Sequence, residues 1–566
     1  MNIRRIISAA ALVLASVSVF AQAAPSGRGY RLPINLPISL SGSYGELRAT
    51  HFHSGIDFRI GGVVGASLFA AESGFISRIT VSPTGYGNAI YIQHPDGMTT
   101  LYGHMHDFAV NTTKWVREQQ YEKEKFAVNL YPDPLMFPVK RGDFIGRAGN
   151  SGSSGGPHLH FEVRDTETQI PLNPITEAGI NVPDNIPPVI NRVSFYSITD
   201  PLTLPQTRLL ATYTQPIQDP IIVSDTFYVA VAAIDRQNNT TARLAVSHYN
   251  YYLNDRLIFS FVPDRIPFDQ GRYINSVVEY SEKQLKGVSM IKSFTEPGGG
   301  LRQNIESEGY GLFILHDDTI HTVKIELLDE HNNKTVRLFK VKRGAVAPES
   351  LISDTNALKR GIVMPWFLPN RFESDGIRFM LPPGALYSSI LFESEPLIFN
   401  GAPAWRVHRN TTPIHNPARI ALRTDHIPPH LTDKAVIVTF NANGGQNSIG
   451  GTYKNGWIEA STGTFGNFAI TLDTIPPRIV PAFKNGDNLA GRSYLRITIS
   501  DNLSGVADYS VMIDDKWILT AYDPKNRRLE TELRSDKINK GKRHNIVISV
   551  TDGRGNTNTL KSSFIW

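Results

Sequence analysis

The sequence predicts a mostly β chain: an N-terminal antiparallel β domain with a helical insertion, followed by β-sandwich (Ig-like) modules. Three observations predict this. Gly 45 and Pro 36 in 566 residues favour many turns and short strands, and the length exceeds what one core holds. Short alternating segments such as GFISRITV (74–81), NAIYIQHP (88–95), TTLYGHM (99–105) and HLHFEV (158–163) recur between Gly-rich turns. The phrase D-x-I-P-P occurs at 184, 425 and 473, and its prolines cannot donate to a sheet ladder, so they suit linkers or strand starts.

Residues 1–23 read as an export signal. Arg4 and Arg5 precede an apolar run from Ile6 to Phe20, and Ala21-Gln22-Ala23 has the small-x-small pattern of a cleavage site. The run is shorter than the roughly 20 residues a bilayer span needs, and no later segment is long and apolar enough to span. The expected location is therefore outside the cytoplasm, and the periplasm of a Gram-negative cell best accommodates it. Hydrophobic residues at 41% and charged residues at 19% are those of a soluble globular protein. A net charge of +5 is compatible with an anionic polymer but too weak to argue for nucleic acid. Cysteine is absent, which excludes disulfides, a lipid-modified cysteine and any thiolate metal site.

Residues 24–185 form the expected first β domain. Within it NTTKWVREQQYEKEKFAVN (111–129) is rich in helix formers, with Asn111 as its expected cap, and predicts a helix inserted between strands beside the active face. Residues 186–345 and 473–566 are expected to be sandwich modules. AVAAIDRQNNTTARLAV (230–246) and VISVTDGRGNTNTLKSSF (547–564) each read as a β run, an acidic-polar turn and a second β run. Residues 346–472 form a further β-rich unit of less defined type. The D-x-I-P-P copies at 184 and 473 mark domain starts, and the copy at 425 falls inside a domain. The trailing modules carry no catalytic pattern and are expected to be spacers or binding modules with a possible protein partner.

Seven of the 16 histidines fall between His51 and His160. In HLHFEV, His158 and His160 lie on one face of a strand about 7 Å apart, so both rings reach one site. In HFHSGIDF (51–58), His53 and Asp57 are separated by three residues, and Gly55 lets the backbone turn between them. Imidazole and carboxylate are good zinc ligands, and one imidazole from the H-x-H completes the three protein ligands of a catalytic zinc. No H-E-x-x-H occurs, so a glutamate base on a zinc-binding helix has no candidate. His51 and His106 are expected at the surface or in structural roles, and His94, in the turn QHPDG, exposed. Glu162 is expected on the opposite strand face from His160. The run GNSGSSGG (149–156) lacks the Gly-Lys-Ser/Thr of a phosphate cradle and is expected to let strand and substrate approach closely.

Four segments in order, HSGID (53–57), LYGH (101–104), VKRGDFIG (139–146) and GSSGGPHLHFEVR (152–164), resemble the lysostaphin-type (LytM-like, M23) zinc metallopeptidases. The multidomain form and the stretch SYGELRATHFHSGIDF resemble exported members from Bacteroidetes. The resemblance covers about 150 residues and implies an antiparallel β domain, one zinc ion, and hydrolysis of peptide bonds in peptidoglycan. It implies His53, Asp57 and His160 as zinc ligands, and His104 and His158 as catalytic residues that do not bind metal. The connection from His104 to Val139 is longer than the compact pattern needs, and its helix is positioned to wall the groove. The reading is an exported zinc metalloendopeptidase that cuts peptidoglycan cross-links. Its rivals are a catalytically silent cell-wall-binding or regulatory scaffold and a zinc peptidase acting on exported proteins. Obstruction of the groove by the insertion or by a trailing module is left open.

Overall fold

A computed structural model describes residues 29–345, apart from Asn239, and residues 361–566. The export signal at 1–23 and the first part of the 346–472 unit lie outside the described residues. Strand accounts for 48% of the structure and helix for 9%, so the chain is mostly β.

The first domain is built on an antiparallel sheet. Its path runs Leu40–Gly42, Ile56–Arg59, His158–Asp165, Met98–Phe108, Asn88–Gln93, Gly74–Val81, Val128–Leu130, and Phe144–Ala148 pairs with both Met98–Phe108 and Ser67–Phe69. Its centre is His158–Asp165, which pairs with Ile56–Arg59 on one side and Met98–Phe108 on the other. Side chains alternate along that strand. Leu159, Phe161 and Val163 are fully buried in the core on one face. His158, His160, Glu162 and Arg164 therefore occupy the other.

The helix spans Val110–Lys123, shorter than the predicted stretch. Its N-cap is Ala109 and no side chain caps it, so Asn111 lies inside the first turn, and Val128–Leu130 is a strand. Its packing adds a contact that the sequence did not predict. Thr112, Val116 and Gln120 are buried, while Arg117 pairs with Glu532 at 2.5 Å and Tyr121 packs edge-on to Trp517. The insertion is thus a docking element for the C-terminal module.

Each later unit places two sheets over one apolar core. In the second, the strands Val189–Thr199 and Thr226–Ile234 face His248–Leu253, Ile320–Leu328 and Lys334–Arg343. In the third, Ile377–Leu381 and Pro413–Arg423 face Ala435–Phe440 and Gly466–Leu472. In the last, Tyr494–Ser500 and Arg528–Glu532 face Val506–Ile513 and Arg543–Asp552. The first two units interlock: Ala242 and Leu244 complete the first core, and Phe52 packs into the second. Hydrogen bonds from Thr240 Oγ1 to Leu40 O and from Ala245 N to Ser43 Oγ reinforce the joint.

Candidate metal centre and active site

Backbone register assembles the centre. His160 lies directly opposite Asp57 on one neighbouring strand and Gly103 on the other. His53 is brought in just ahead of Ile56 by Gly55, which does not adopt a left-handed turn. A Cβ there would sit 2.2 Å from the Phe161 carbonyl oxygen, so the glycine is required for close approach to the central strand.

In a regular strand His104, next to Gly103, would face away from His160. Its φ of 57 reverses that, and the ring lies 5.8 Å centroid to centroid from His160 and 4.8 Å from His158. A non-glycine residue held in this region is a local strain, here associated with aiming a side chain into a site.

His53 Nε2, Asp57 Oδ1 and His160 Nδ1 converge on one point, with separations of 3.1, 2.9 and 3.0 Å. They form one of the close groups of metal-ligating side chains, and all three residues are buried. The remaining polar atoms are held from behind. His53 Nδ1 donates to Ser43 O at 2.7 Å, and Arg48 Nη2 donates to the second Asp57 oxygen at 3.1 Å. His160 Nε2 lies 2.7 Å from Glu162 Oε1. Each ring thus has its far nitrogen occupied and turns the other inward.

Glu162 is the main correction to the sequence reading. It lies two residues beyond His160 and so on the same face, not the opposite one. It is fully buried, accepts from Ser54 Oγ at 2.5 Å and pairs with Arg164, whose guanidinium lies over Tyr86, Tyr91 and Phe268. The even-numbered alternation through 158, 160, 162 and 164 was the signal for it. Arg48 and the Ser43 carbonyl had no comparable signal, because a loop brings them in. His94 is also corrected: it is 3% exposed, with hydrogen bonds to Ser73 O and Thr100 Oγ1. His51 and His106 are exposed, as expected of them.

The charges follow from the geometry. Burial opposes ionisation of Asp57, yet the imidazoles around it, His53 foremost, hold its carboxyl well below the usual range. Burial also opposes charge on His160, but its bonds to Asp57 and Glu162 outweigh it and push the pKa up to about 9. Burial, with His160 and His158 nearby, pushes His104 down to about 3. Its Nδ1 is 2.9 Å from the Ser151 carbonyl, which fixes the proton there and leaves Nε2 as an acceptor. His158 Nδ1 is similarly held by Gly156 O at 2.8 Å, and its Nε2 lies 3.5 Å from Asp57 Oδ1.

Ser151 and Gly156 belong to the Gly-rich run, which thus orients both non-ligating imidazoles through its carbonyls. The run also takes a contact from 370 residues away: Lys525 Nζ donates to the carbonyls of Asn150, Gly152 and Ser154. Among the described residues, no side chain of a trailing module joins the His53, Asp57 and His160 group. No residue of Val110–Lys123 bonds to any of the five site residues. Lys525→Ala is expected to speed amide exchange in residues 149–156 while the strand His158–Asp165 stays protected, as read by hydrogen-exchange mass spectrometry.

Two further outcomes test this geometry. Glu162→Gln removes the carboxylate behind His160 and is expected to weaken zinc affinity by about 10- to 100-fold in competition with a chromophoric chelator. The depressed pKa of His104 sets the second. Above pH 6.5 the ring is neutral whether folded or not, whereas between 6.5 and about 3 only the unfolded chain binds a proton there. Stability is therefore lost as pH falls through that window, by up to about 1.4 kcal/mol per pH unit. Urea titrations should show a shallower acid decline in His104→Gln than in the native protein.

Comparison with known proteins bears on the first β domain. The model of peptidase family M23 matches residues 51–121, and that of a Zu5-like domain matches residues 362–473. A DD-carboxypeptidase/endopeptidase Mpg from Neisseria meningitidis serogroup B is 32% identical over 132 residues, 23% of this chain and 24% of the relative. The Neisseria gonorrhoeae counterpart is 30% identical over the same shares. The match thus spans about a quarter of the length of these relatives. Among solved structures, the catalytic domain of the prophage-encoded M23 protein EnpA from Enterococcus faecalis is 25% identical, with 26% of this chain and 96% of that chain covered and a TM-score of 0.20. For the catalytic domain of lysostaphin from Staphylococcus simulans the values are 25%, 24%, 90% and 0.19. The first β domain is thus similar to peptidase family M23, over residues 51–121 for the family model and 132 residues for the relatives.

Proposed function

We propose that this chain is an exported zinc-dependent endopeptidase that hydrolyses peptide cross-links of peptidoglycan in the periplasm. The observation that supports it best is the convergence of His53 Nε2, Asp57 Oδ1 and His160 Nδ1 within 3.1 Å of one another, beside two imidazoles that do not belong to the group. The donor set fits zinc: two imidazole nitrogens and one carboxylate, sulfur-free, and close enough for one ion with bonds of about 2.0–2.2 Å. When bound, zinc supplies Lewis acidity, polarising a peptide carbonyl and acidifying water near neutral pH.

The residues of this chain do the rest. Glu162 and the Ser43 carbonyl fix the ring orientations of His160 and His53, and Arg48 fixes Asp57. His104 is neutral and presents Nε2, so it is suited to accept a proton from the attacking water. His158 presents its own Nε2 from the adjacent position in the site. The ring that takes the proton becomes the donor for the departing amine, and the other stabilises charge on the substrate oxygen as the tetrahedral state forms.

The test is mass spectrometry of purified peptidoglycan after incubation with the zinc-loaded protein, alongside Asp57→Ala and a chelator control. Cross-link fragments that appear only with the native, metal-loaded protein support the reading and identify the bond cut. Intact peptidoglycan beside cleavage of exported proteins would move the substrate to that class. Inactivity on both would favour a silent scaffold.

A further inference from the structure

Two groups of three carboxylates, each with two buried members and one half-buried, lie outside the peptidase centre, each at a D-x-I-P-P segment. Asp184, Asp235 and Asp329 bring one oxygen each within 4.8 Å of one another, and so do Asp473, Asp501 and Asp552. The third copy of the phrase serves as an internal contrast: Asp425 is exposed and pairs with Arg423 at 3.0 Å.

The two groups are built alike. Asp329 Oδ1 accepts from the backbone N–H groups of His331 and Asn333, and its Oδ2 accepts from Asn333 Nδ2. Asp552 Oδ1 accepts from the backbone N–H groups of Arg554 and Asn556, and its Oδ2 accepts from Asn556 Nδ2. The same Asp-to-Asn loop, with the asparagine four positions after the aspartate in each case, thus holds one acid of each group. In the second group, Asp473 Oδ2 accepts from Ser504 N, and Asp501 Oδ2 accepts from Leu503 N and Gly505 N.

Unpaired atoms remain. Asp473 is 0% exposed and Asp235 is 6% exposed, yet Oδ1 of each is buried without a hydrogen-bond partner. Asp501 Oδ1 and the Ser504 hydroxyl are in the same condition in the second group, and so is the Gln237 amide oxygen, two residues beyond Asp235. Among the described residues, none of the six acids has a lysine, arginine or histidine within ion-pair distance. Arg554, beside Asp552, turns its guanidinium to the carbonyls of Ala435 and Gly451. Three carboxylates buried together are costly unless a charge of opposite sign is present. The ligand atoms are all oxygen, which suits a hard cation, and the mixture of carboxylate, hydroxyl and carbonyl groups on loops suits the flexible coordination of calcium better than the octahedral demand of magnesium.

We propose that each group is a calcium site, one where the chain leaves the peptidase domain at Asp184 and one where it enters the last module at Asp473. Each ion ties the linker ahead of a module to one hairpin and one sheet-to-sheet connection of that module: Asp329 and Asp235 in the first case, Asp552 and Asp501 in the second. Calcium thereby stiffens the joints that position the trailing modules, including the module that carries Lys525 and Trp517 against the peptidase domain.

Equilibrium dialysis of the zinc-loaded chain against radioactive calcium tests this. Two calcium ions per chain are expected, with dissociation constants at or below about 1 mM, the range of extracellular modules. Asp235→Asn and Asp473→Asn should each lose one ion, the double variant both, and Asp425→Asn neither. Hydrogen exchange on the native protein gives a readout that no variant's folding affects: calcium should slow exchange at 329–333 and 552–556, and magnesium at the same concentration should not. No saturable calcium binding, stoichiometry unchanged in both single variants, or equal protection by magnesium would overturn the assignment.

Discussion

Asp57→Ala is expected to abolish zinc retention and to lower peptidoglycan hydrolysis by about 10³-fold or more, the scale on which electrostatic stabilisation of a developing oxyanion is lost. Asp57 Oδ1 is the point shared by the whole centre, at 2.9 Å from His160, 3.1 Å from His53 and 3.5 Å from His158. It is also the only negatively charged member of the set and lies opposite His160 in the sheet register. Its removal leaves two imidazoles, too few ligands for a structural or catalytic zinc. Zinc content by plasma mass spectrometry and release of soluble muropeptides check both halves. A variant that keeps stoichiometric zinc and native activity would falsify the ligand assignment.

His104→Ala and His158→Ala are expected to behave differently, each lowering kcat by about 10²- to 10⁴-fold with zinc content unchanged. Neither ring belongs to the close ligand group, and each is oriented through Nδ1 by a carbonyl of the Gly-rich run. The effect should fall on kcat more than on KM, because proton transfer is a transition-state event. Loss of zinc from His158→Ala would instead make that ring a ligand, since its Nε2 lies 3.5 Å from Asp57 Oδ1. The double variant should cost little more than the more damaging single one if the two rings act on the same proton.

The five residues that the structure gathers were named from the sequence: His53, Asp57 and the H-x-H pair by residue type and spacing, and His104 and the division of roles only through the resemblance to the M23 peptidases. The alternation of the H-x-H strand also contained Glu162, and its position two residues after His160 placed it against the far nitrogen of that ring. Other features were not local. Whether His104 faces the centre depends on one left-handed backbone angle within a strand, which the letters LYGH do not display. The helix 110–123 looked like a solvated or groove-lining element because its charges suit water equally well. Its partners Trp517, Glu532 and Lys537 lie about 400 residues away.

The sequence alone determined the mostly β class, the chemistry of the ligands and the recurrence of D-x-I-P-P, since each depends on periodicity or residue type within a few positions. The tertiary structure decided which groups meet. Strand register placed Asp57 beside His160, a loop from the first domain supplied Arg48, and the last module reached back to the Gly-rich run through Lys525. It also separated the three D-x-I-P-P copies, bringing two beside other acids and leaving the third against an arginine. Contacts of this kind form between surfaces remote in sequence, where burial and electrostatics act through space, and no local pattern specifies them.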